Sequence, residues 1–116
     1  MSERLTILRH AGREVLLSDF SGLQGEELLA SMREAIARDA TQPDGSLLLT
    51  DITGCYVSSE IRELAVDMGQ MADRRGFRQA IVGVTGVQKV IFMLVKRNVH
   101  LARNRADALA WLTDTR

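Results

Sequence analysis

The feature that most constrains the fold is a short motif that occurs three times at equal spacing. Each copy reads x-apolar-[Ser/Thr]-Gly, and the copies begin 32 residues apart, at positions 19, 51 and 83. They are Asp19-Phe20-Ser21-Gly22, Asp51-Ile52-Thr53-Gly54 and Gly83-Val84-Thr85-Gly86. Each copy follows an apolar run and precedes a helical pattern, and one βα unit takes about 30 residues or more. The motif therefore predicts three strand ends.

These strand ends define a candidate binding edge. If the strands run parallel, Ser21, Thr53 and Thr85 lie near one edge of the sheet, where open α/β sheets usually bind ligands. Asp51 and Thr53 are the candidate residues of this edge. Asp19 and Asp51 both stand at strand ends, and turn or cap roles explain these carboxylates better than acid–base chemistry does.

Hydrophobic periodicity predicts the first elements of the chain. Residues 5–8 and 15–20 are short apolar runs on either side of a glycine-containing loop, which predicts a β-hairpin. Residues 25–40 and 58–75 carry apolar side chains at helical spacing with charged residues opposite, which predicts two amphipathic helices.

Local sequence patterns also predict the remaining strands and the last helix. Residues 47–52 and 80–84 predict two strands. Each begins with a run of consecutive apolar residues, which is typical of parallel strands covered on both faces. Residues 99–103 predict a short edge strand. Asn104 followed by Asp107 resembles a helix N-cap with an acidic N3 residue, which predicts the start of a final helix.

Residues 90–95 are consecutive apolar residues between Lys89 and Lys96, and we interpret them as part of a helix over 87–97. The predicted element order is then β-β-α-β-α-β-α-(β)-α. This order predicts an α/β fold with a mixed β-sheet and helices packed on it, as one domain over residues 1–116.

Composition excludes several classes of protein. The chain has 15 basic and 15 acidic residues, which argues against a protein that coats nucleic acid. The single Cys55 cannot form an internal disulfide, and no cluster of metal ligands or cofactor motif is visible. No apolar run approaches the ~20 residues that span a bilayer, and the first residues do not resemble a signal peptide. We expect a cytoplasmic protein, with peripheral contact with a membrane as an alternative.

The balanced total charge conceals a basic segment. Eight basic residues and no acidic residue lie between Asp73 and Asp107, so one face can be electropositive. Within this segment Thr85, Gly86 and Lys89 suggest a weak anion site at a strand-to-helix junction. Tight packing of the strand against the helix explains the same glycines without any ligand.

The apolar part of this segment is the second candidate site. A helix over 87–97 cannot turn all of its apolar residues towards one core. Phe92 and Met93 suit an apolar ligand or a membrane surface, with Lys89, Lys96 and Arg97 at the level of anionic head groups. A helix wedged between the sheet and the last helix, or a homodimer face, is the competing interpretation.

Several blocks resemble a known family. Residues 48–54, the helix from Ser58, Ala80-Ile81-Val82-Gly83-Val84-Thr85-Gly86-Val87-Gln88-Lys89-Val90 and Ala108-Leu109-Ala110-Trp111-Leu112 resemble the bacterial SpoIIAA-like, or STAS-like, small domains. The likeness covers most of the chain. This group also resembles the CRAL-TRIO lipid-transfer domains, and its members are suspected of binding apolar ligands or membrane surfaces.

The resemblance also implies a phosphorylation site. In STAS domains a partner kinase phosphorylates a serine at the start of the helix after the third strand, which implies Ser58 or Ser59 here. The STAS pattern resembles Asp-Ser-Ser-Gly-Leu, whereas this chain has Val57 before the serines and Glu60 after them. Capping of the helix explains the same serines.

The function that we expect is non-enzymatic binding of an apolar or anionic small ligand, or of a membrane surface. The alternative is a partner-switching regulator, like an anti-sigma-factor antagonist, that docks a kinase or a sigma-regulating partner through Ser58 or Ser59. A cytoplasmic homodimer is a third hypothesis. We assign no catalytic residue, because nothing in the sequence places His10 or His100 beside Cys55.

Overall fold

The computed structural model describes residues 3–85 and 99–114. The elements in these ranges are β1 (Leu5–His10), β2 (Arg13–Asp19), α1 (Gly25–Ala40), β3 (Leu47–Asp51), α2 (Ser59–Arg74), β4 (Arg78–Val82), β5 (Val99–Ala102) and α3 (Arg105–Leu112). The prediction of an α/β fold with a mixed sheet is confirmed. The predicted helix over 87–97 lies outside the described residues.

The strands form one sheet in the order β1-β2-β3-β4-β5. β1 is antiparallel to β2, and the pairs from β2 to β5 are all parallel. In register, Leu17 stands beside Leu49, and Leu49 stands beside Ala80. The carboxyl ends of β2, β3 and β4 therefore meet at one edge, as the motif spacing predicts.

Helices cover both faces of the sheet. On one face α3 packs through Ala108 and Leu112 against buried side chains such as Leu17, Leu49 and Ala80. The alternate residues of the strands point to the opposite face, and that side also holds α2. There the cluster is Leu16, Leu48, Ala72 and Phe77. Because both faces are covered, β3 is apolar at consecutive positions, as in parallel strands generally.

Side chains cap two of the helices. Ser58 precedes α2, and its Oγ accepts a hydrogen bond from the N–H of Ile61 at 3.3 Å. Asn104 precedes α3, and its Oδ1 accepts from the N–H of Asp107 at 2.8 Å. Each bond satisfies one of the amide groups that the first turn of a helix leaves without a partner. The predicted cap at Asn104 is confirmed.

A buried ion pair joins α1 to the sheet. Arg38 donates to Asp39 Oδ1 at 3.0 Å, to the carbonyl oxygen of Leu17 at 2.8 Å and to Ser18 Oγ at 2.8 Å. Its side chain is 5% exposed and that of Asp39 is 1% exposed. Burial raises the pKa of Asp39, and the neighbouring guanidinium offsets this only in part. The two bonds to Leu17 and Ser18 fix the end of α1 over β2.

Candidate functional site

The first two copies of the motif form the same turn at the carboxyl edge of the sheet. Asp19 Oδ1 accepts hydrogen bonds from the N–H and the hydroxyl of Ser21, at 3.1 and 2.6 Å. Asp51 Oδ1 accepts the same two bonds from Thr53, at 2.9 and 2.6 Å. The N–H of Gly22 donates to the carbonyl oxygen of Thr53 at 2.8 Å, which joins the two turns. These are Asx turns, the local role that short acidic side chains often take.

The third copy has a different structure. Asp51 is in register with Val82, so Gly83 stands one residue beyond the position that a true repeat would give it. Gly83 has a φ of +91°, and a Cβ there would lie 2.5 Å from the backbone nitrogen and from Oγ1 of Thr53. Only glycine fits this approach without strain. Gly83 thus follows the end of β4 and packs against the second turn.

Arg105 at the start of α3 connects both strand-end carboxylates. Its Nε donates to Asp51 Oδ2 at 2.9 Å, and its Nη2 lies 3.3 Å from Asp19 Oδ1. Partial burial opposes ionisation of Asp19, but the bonds from Ser21 and the charge of Arg105 outweigh it and lower its pKa. Partial burial also opposes the charge of Arg105, and the two carboxylates nevertheless raise its pKa. Both acids are engaged as structural anions that hold α3 at this edge.

A cavity of about 80 Å³ lies between the helices α1 and α2 and the sheet. The α2 side chains that line it are Ile61, Arg62, Ala65, Val66 and Met68, together with the backbone of Gly69. Leu28 and Met32 line it from α1, and Ile81 and Val99 line it from the sheet. The sequence predicts α2 and its apolar stripe, but it shows the stripe only as core.

Gly69 is a feature of α2 that sequence reasoning did not use. A glycine inside a helix is unfavourable by about 1 kcal/mol relative to alanine. Gly69 lies within α2. Apart from its chain neighbours and the backbone of the helix itself, no atom of the described residues lies within 4 Å of a Cβ built at this position. The missing side chain therefore leaves open space beside the cavity. A glycine in an apolar helical stripe was the one local sign of that space.

Few polar groups meet the cavity. Among the described residues that line it, the polar side chains are those of Thr50, Cys55 and Gln79, and Arg62 is the one charged residue. The thiol of Cys55 donates to the carbonyl oxygen of Phe20 at 2.9 Å. Burial raises the pKa of Cys55, so the thiol stays protonated at neutral pH and is a poor nucleophile.

The two candidate phosphoacceptors differ in their surroundings. Ser58 uses its Oγ to cap α2, whereas Ser59 is exposed in the first turn. Both stand close in sequence to the lining residues Val57 and Ile61, at the end of the cavity where the chain enters α2.

The other predicted site residues are separated or not described. Asp51 and Thr53 form the second strand-end turn, and Thr85 is exposed after β4. The remaining candidates are Gly86, Lys89, Phe92, Met93, Lys96 and Arg97, which lie outside the described residues. The membrane and homodimer hypotheses depend on that segment.

The histidines lie away from the cysteine. His10 ends β1, and His100 in β5 stacks on Trp111 with ring centroids 5.1 Å apart. His100 Nε2 is 3.3 Å from Asp107 Oδ2. Neither histidine is among the residues that line the cavity beside Cys55.

The described residues contain neither a cluster of metal ligands nor a helix that could cross a membrane. In residues 3–85 and 99–114, no three His, Cys, Asp or Glu side chains form a group that could hold a metal ion. No helix in these ranges is both long enough and apolar enough to cross a membrane.

Comparisons with protein families, with curated proteins and with solved structures found no match to this chain.

Proposed function

We propose that this protein is a non-enzymatic binding domain that holds a small apolar ligand in the cavity beneath α2. The observation that carries the proposal is the composition of the cavity wall, which is apolar except for a few separate polar groups. Small-molecule sites are typically concave and mostly apolar, with a small number of polar groups that fix orientation. Met32, Met68 and Ile81 border the open space and therefore make fewer van der Waals contacts, and a ligand in the cavity would supply them.

The size of the cavity limits the ligand. A water molecule occupies about 30 Å³ of liquid volume, and a methylene group is of similar size, so about 80 Å³ holds roughly three such groups. Burial of each methylene contributes about 0.8 kcal/mol. The proposed ligand is therefore a short alkyl chain, or the end of a longer one that enters at the open side.

The ionisable groups near the cavity support binding over catalysis. The Cys55 thiol has a raised pKa, and the strand-end carboxylates are held by Arg105 and by their own turns. General acid–base and nucleophilic catalysis both need a group with a pKa suited to the reaction and a free path to the substrate.

The element order and the mixed sheet are compatible with the proposed kinship to SpoIIAA-like domains. The regulator of the STAS type therefore stays the second candidate. Exposure of Ser59 in the first turn of α2 favours this serine over Ser58, because the helix dipole stabilises a phosphoryl group at that position. Mass spectrometry of peptides from cells tests it, and a Ser59 peptide that is unmodified under all growth conditions would reject it.

A series of primary alcohols tests the binding proposal. We expect affinity to rise about fourfold per added methylene from ethanol to 1-butanol, from about 0.8 kcal/mol each, and to level off by 1-hexanol because the cavity is then full. Amide and methyl resonances of Ile61, Met68 and Ile81 report the site in an NMR titration. Shifts spread over the surface, with affinity that still rises steadily to 1-octanol, would reject a defined cavity.

The single cysteine provides a second measurement in the unmodified protein. Cys55 lines the cavity and is the one cysteine of the chain. We expect 1-hexanol to slow its alkylation by N-ethylmaleimide. The matched control is 1,6-hexanediol, which has the same chain length but would have to bury a second hydroxyl without a partner, and should protect far less.

A further inference from the structure

Arg62 is a cation at the cavity that lacks a partner in the described part of the chain. It is exposed, and no carboxylate of the described residues lies within salt-bridge distance of it. The residues three and four positions away on α2, where a helical ion pair would form, carry no charge. They are Ser58, Ser59, Ala65 and Val66. Among the other described arginines, Arg38 and Arg105 by contrast each pair with a carboxylate.

We infer that the ligand is a short-chain monocarboxylate, whose alkyl chain fills the cavity and whose carboxylate binds the Arg62 guanidinium. This inference rests on the proposed function of the cavity. A guanidinium and a carboxylate form two parallel hydrogen bonds, so one Arg62 satisfies one carboxylate. The single charge among the described lining residues matches a monoanion, whereas a phosphate dianion would keep one charge without a partner.

The lining of the cavity is also compatible with a ligand that has an apolar chain and one carboxylate. The polar wall groups, Thr50 and Gln79, are neutral, and the described lining contains no acidic side chain that would repel a carboxylate. Arg62 is exposed, so the carboxylate can keep part of its hydration while the chain is buried. That arrangement avoids the large cost of burying an ion.

The test compares hexanoate with 1-hexanol, which differ in the charged head group, by NMR titration at low ionic strength. We expect wild-type protein to bind hexanoate about fivefold more tightly than 1-hexanol, as for a partly exposed ion pair. Arg62→Gln should abolish the preference for hexanoate over 1-hexanol, whereas Arg62→Lys should retain part of it. Sodium chloride at 0.5 M should reduce the wild-type preference by screening.

The matched control is Arg74→Gln, an exposed arginine at the end of the same helix that does not line the cavity. It should keep the full preference for hexanoate. Binding of 1-hexanol to each variant verifies that the variant is folded.

The outcomes separate the two proposals. If wild-type protein binds 1-hexanol at the cavity but prefers hexanoate no more than the Arg62→Gln variant does, the monocarboxylate is wrong and the apolar site stands. An equal loss of preference in Arg74→Gln would also overturn it, because the effect would then be one of net charge. If neither ligand binds at the cavity, the proposed function fails and the inference fails with it.

Discussion

Filling the space at Gly69 is the most informative single substitution. Gly69 faces the cavity from the middle of α2, and the described residues leave room for a side chain there. Gly69→Ala replaces a poor helix former with the best one, and Gly69→Leu adds four carbon atoms to a space that holds roughly three methylene-sized groups. Most substitutions in a core destabilise a protein, but these two should not.

The expected magnitudes follow from helix propensity and burial. Removing the helical glycine should stabilise the protein by about 1 kcal/mol, which raises the melting temperature by roughly 4–6 °C in a domain of this size. In Gly69→Leu, the better helix propensity and the burial of apolar carbon both raise the free energy of unfolding, and crowding of the new side chain lowers it in part. We expect Gly69→Leu to be at least as stable as wild type.

Urea denaturation and titration with 1-hexanol measure the two effects separately. Gly69→Leu should bind 1-hexanol at least tenfold more weakly than wild type, because its side chain occupies the site. Gln70→Leu is the control, since it adds the same side chain at the adjacent, exposed position and should change neither property much. A Gly69→Leu protein that binds 1-hexanol with wild-type affinity, or that loses more than about 1 kcal/mol, would refute the cavity geometry.

Three further substitutions test the strand-end edge. Gly83→Ala should destabilise the protein by about 3 kcal/mol, because the added Cβ would clash with Thr53. Gly22→Ala is the control: its Cβ meets no neighbour among the described residues, so only the positive φ is strained and the loss should be about 1–2 kcal/mol. Equal losses of stability in urea denaturation would contradict the contact between Gly83 and Thr53. Arg105→Gln should cost about 1–2 kcal/mol at pH 7, a figure reduced for its partial exposure. Because the folded-state pKa of Asp19 is lowered, the part of this stabilisation that comes from its carboxylate is present above pH about 4 and is lost as the pH falls through that pKa, so the difference between wild type and variant should narrow below pH about 4.

Local patterns in the sequence were sufficient for most of the fold. The hairpin, the two long helices and the Asn104 cap depend on side chains within one turn or one strand. The predicted strand over 80–84 instead lies at Arg78–Val82, because Gly83 adopts a positive φ that ends the strand.

The site was much harder to predict, because it depends on contacts between distant residues. The sequence placed Asp19 and Asp51 at strand ends, but nothing in it indicated that Arg105 joins their carboxylates. The cavity lies where the described side chains of α1, α2 and the sheet leave the space between them unfilled. Periodicity shows which side chains point inward and not how completely they fill the space, so Met32 and Met68 appeared only as core residues.

The most direct test of the central claim is to observe where a small apolar molecule lies in the folded protein. Intermolecular nuclear Overhauser effects can be measured between 1-hexanol and the methyl and aromatic protons of the protein. We predict contacts to Met32, Met68 and Ile81, which face the cavity from α1, α2 and the sheet. Contacts confined to the exposed apolar side chains Ile7 and Tyr56 would contradict the account.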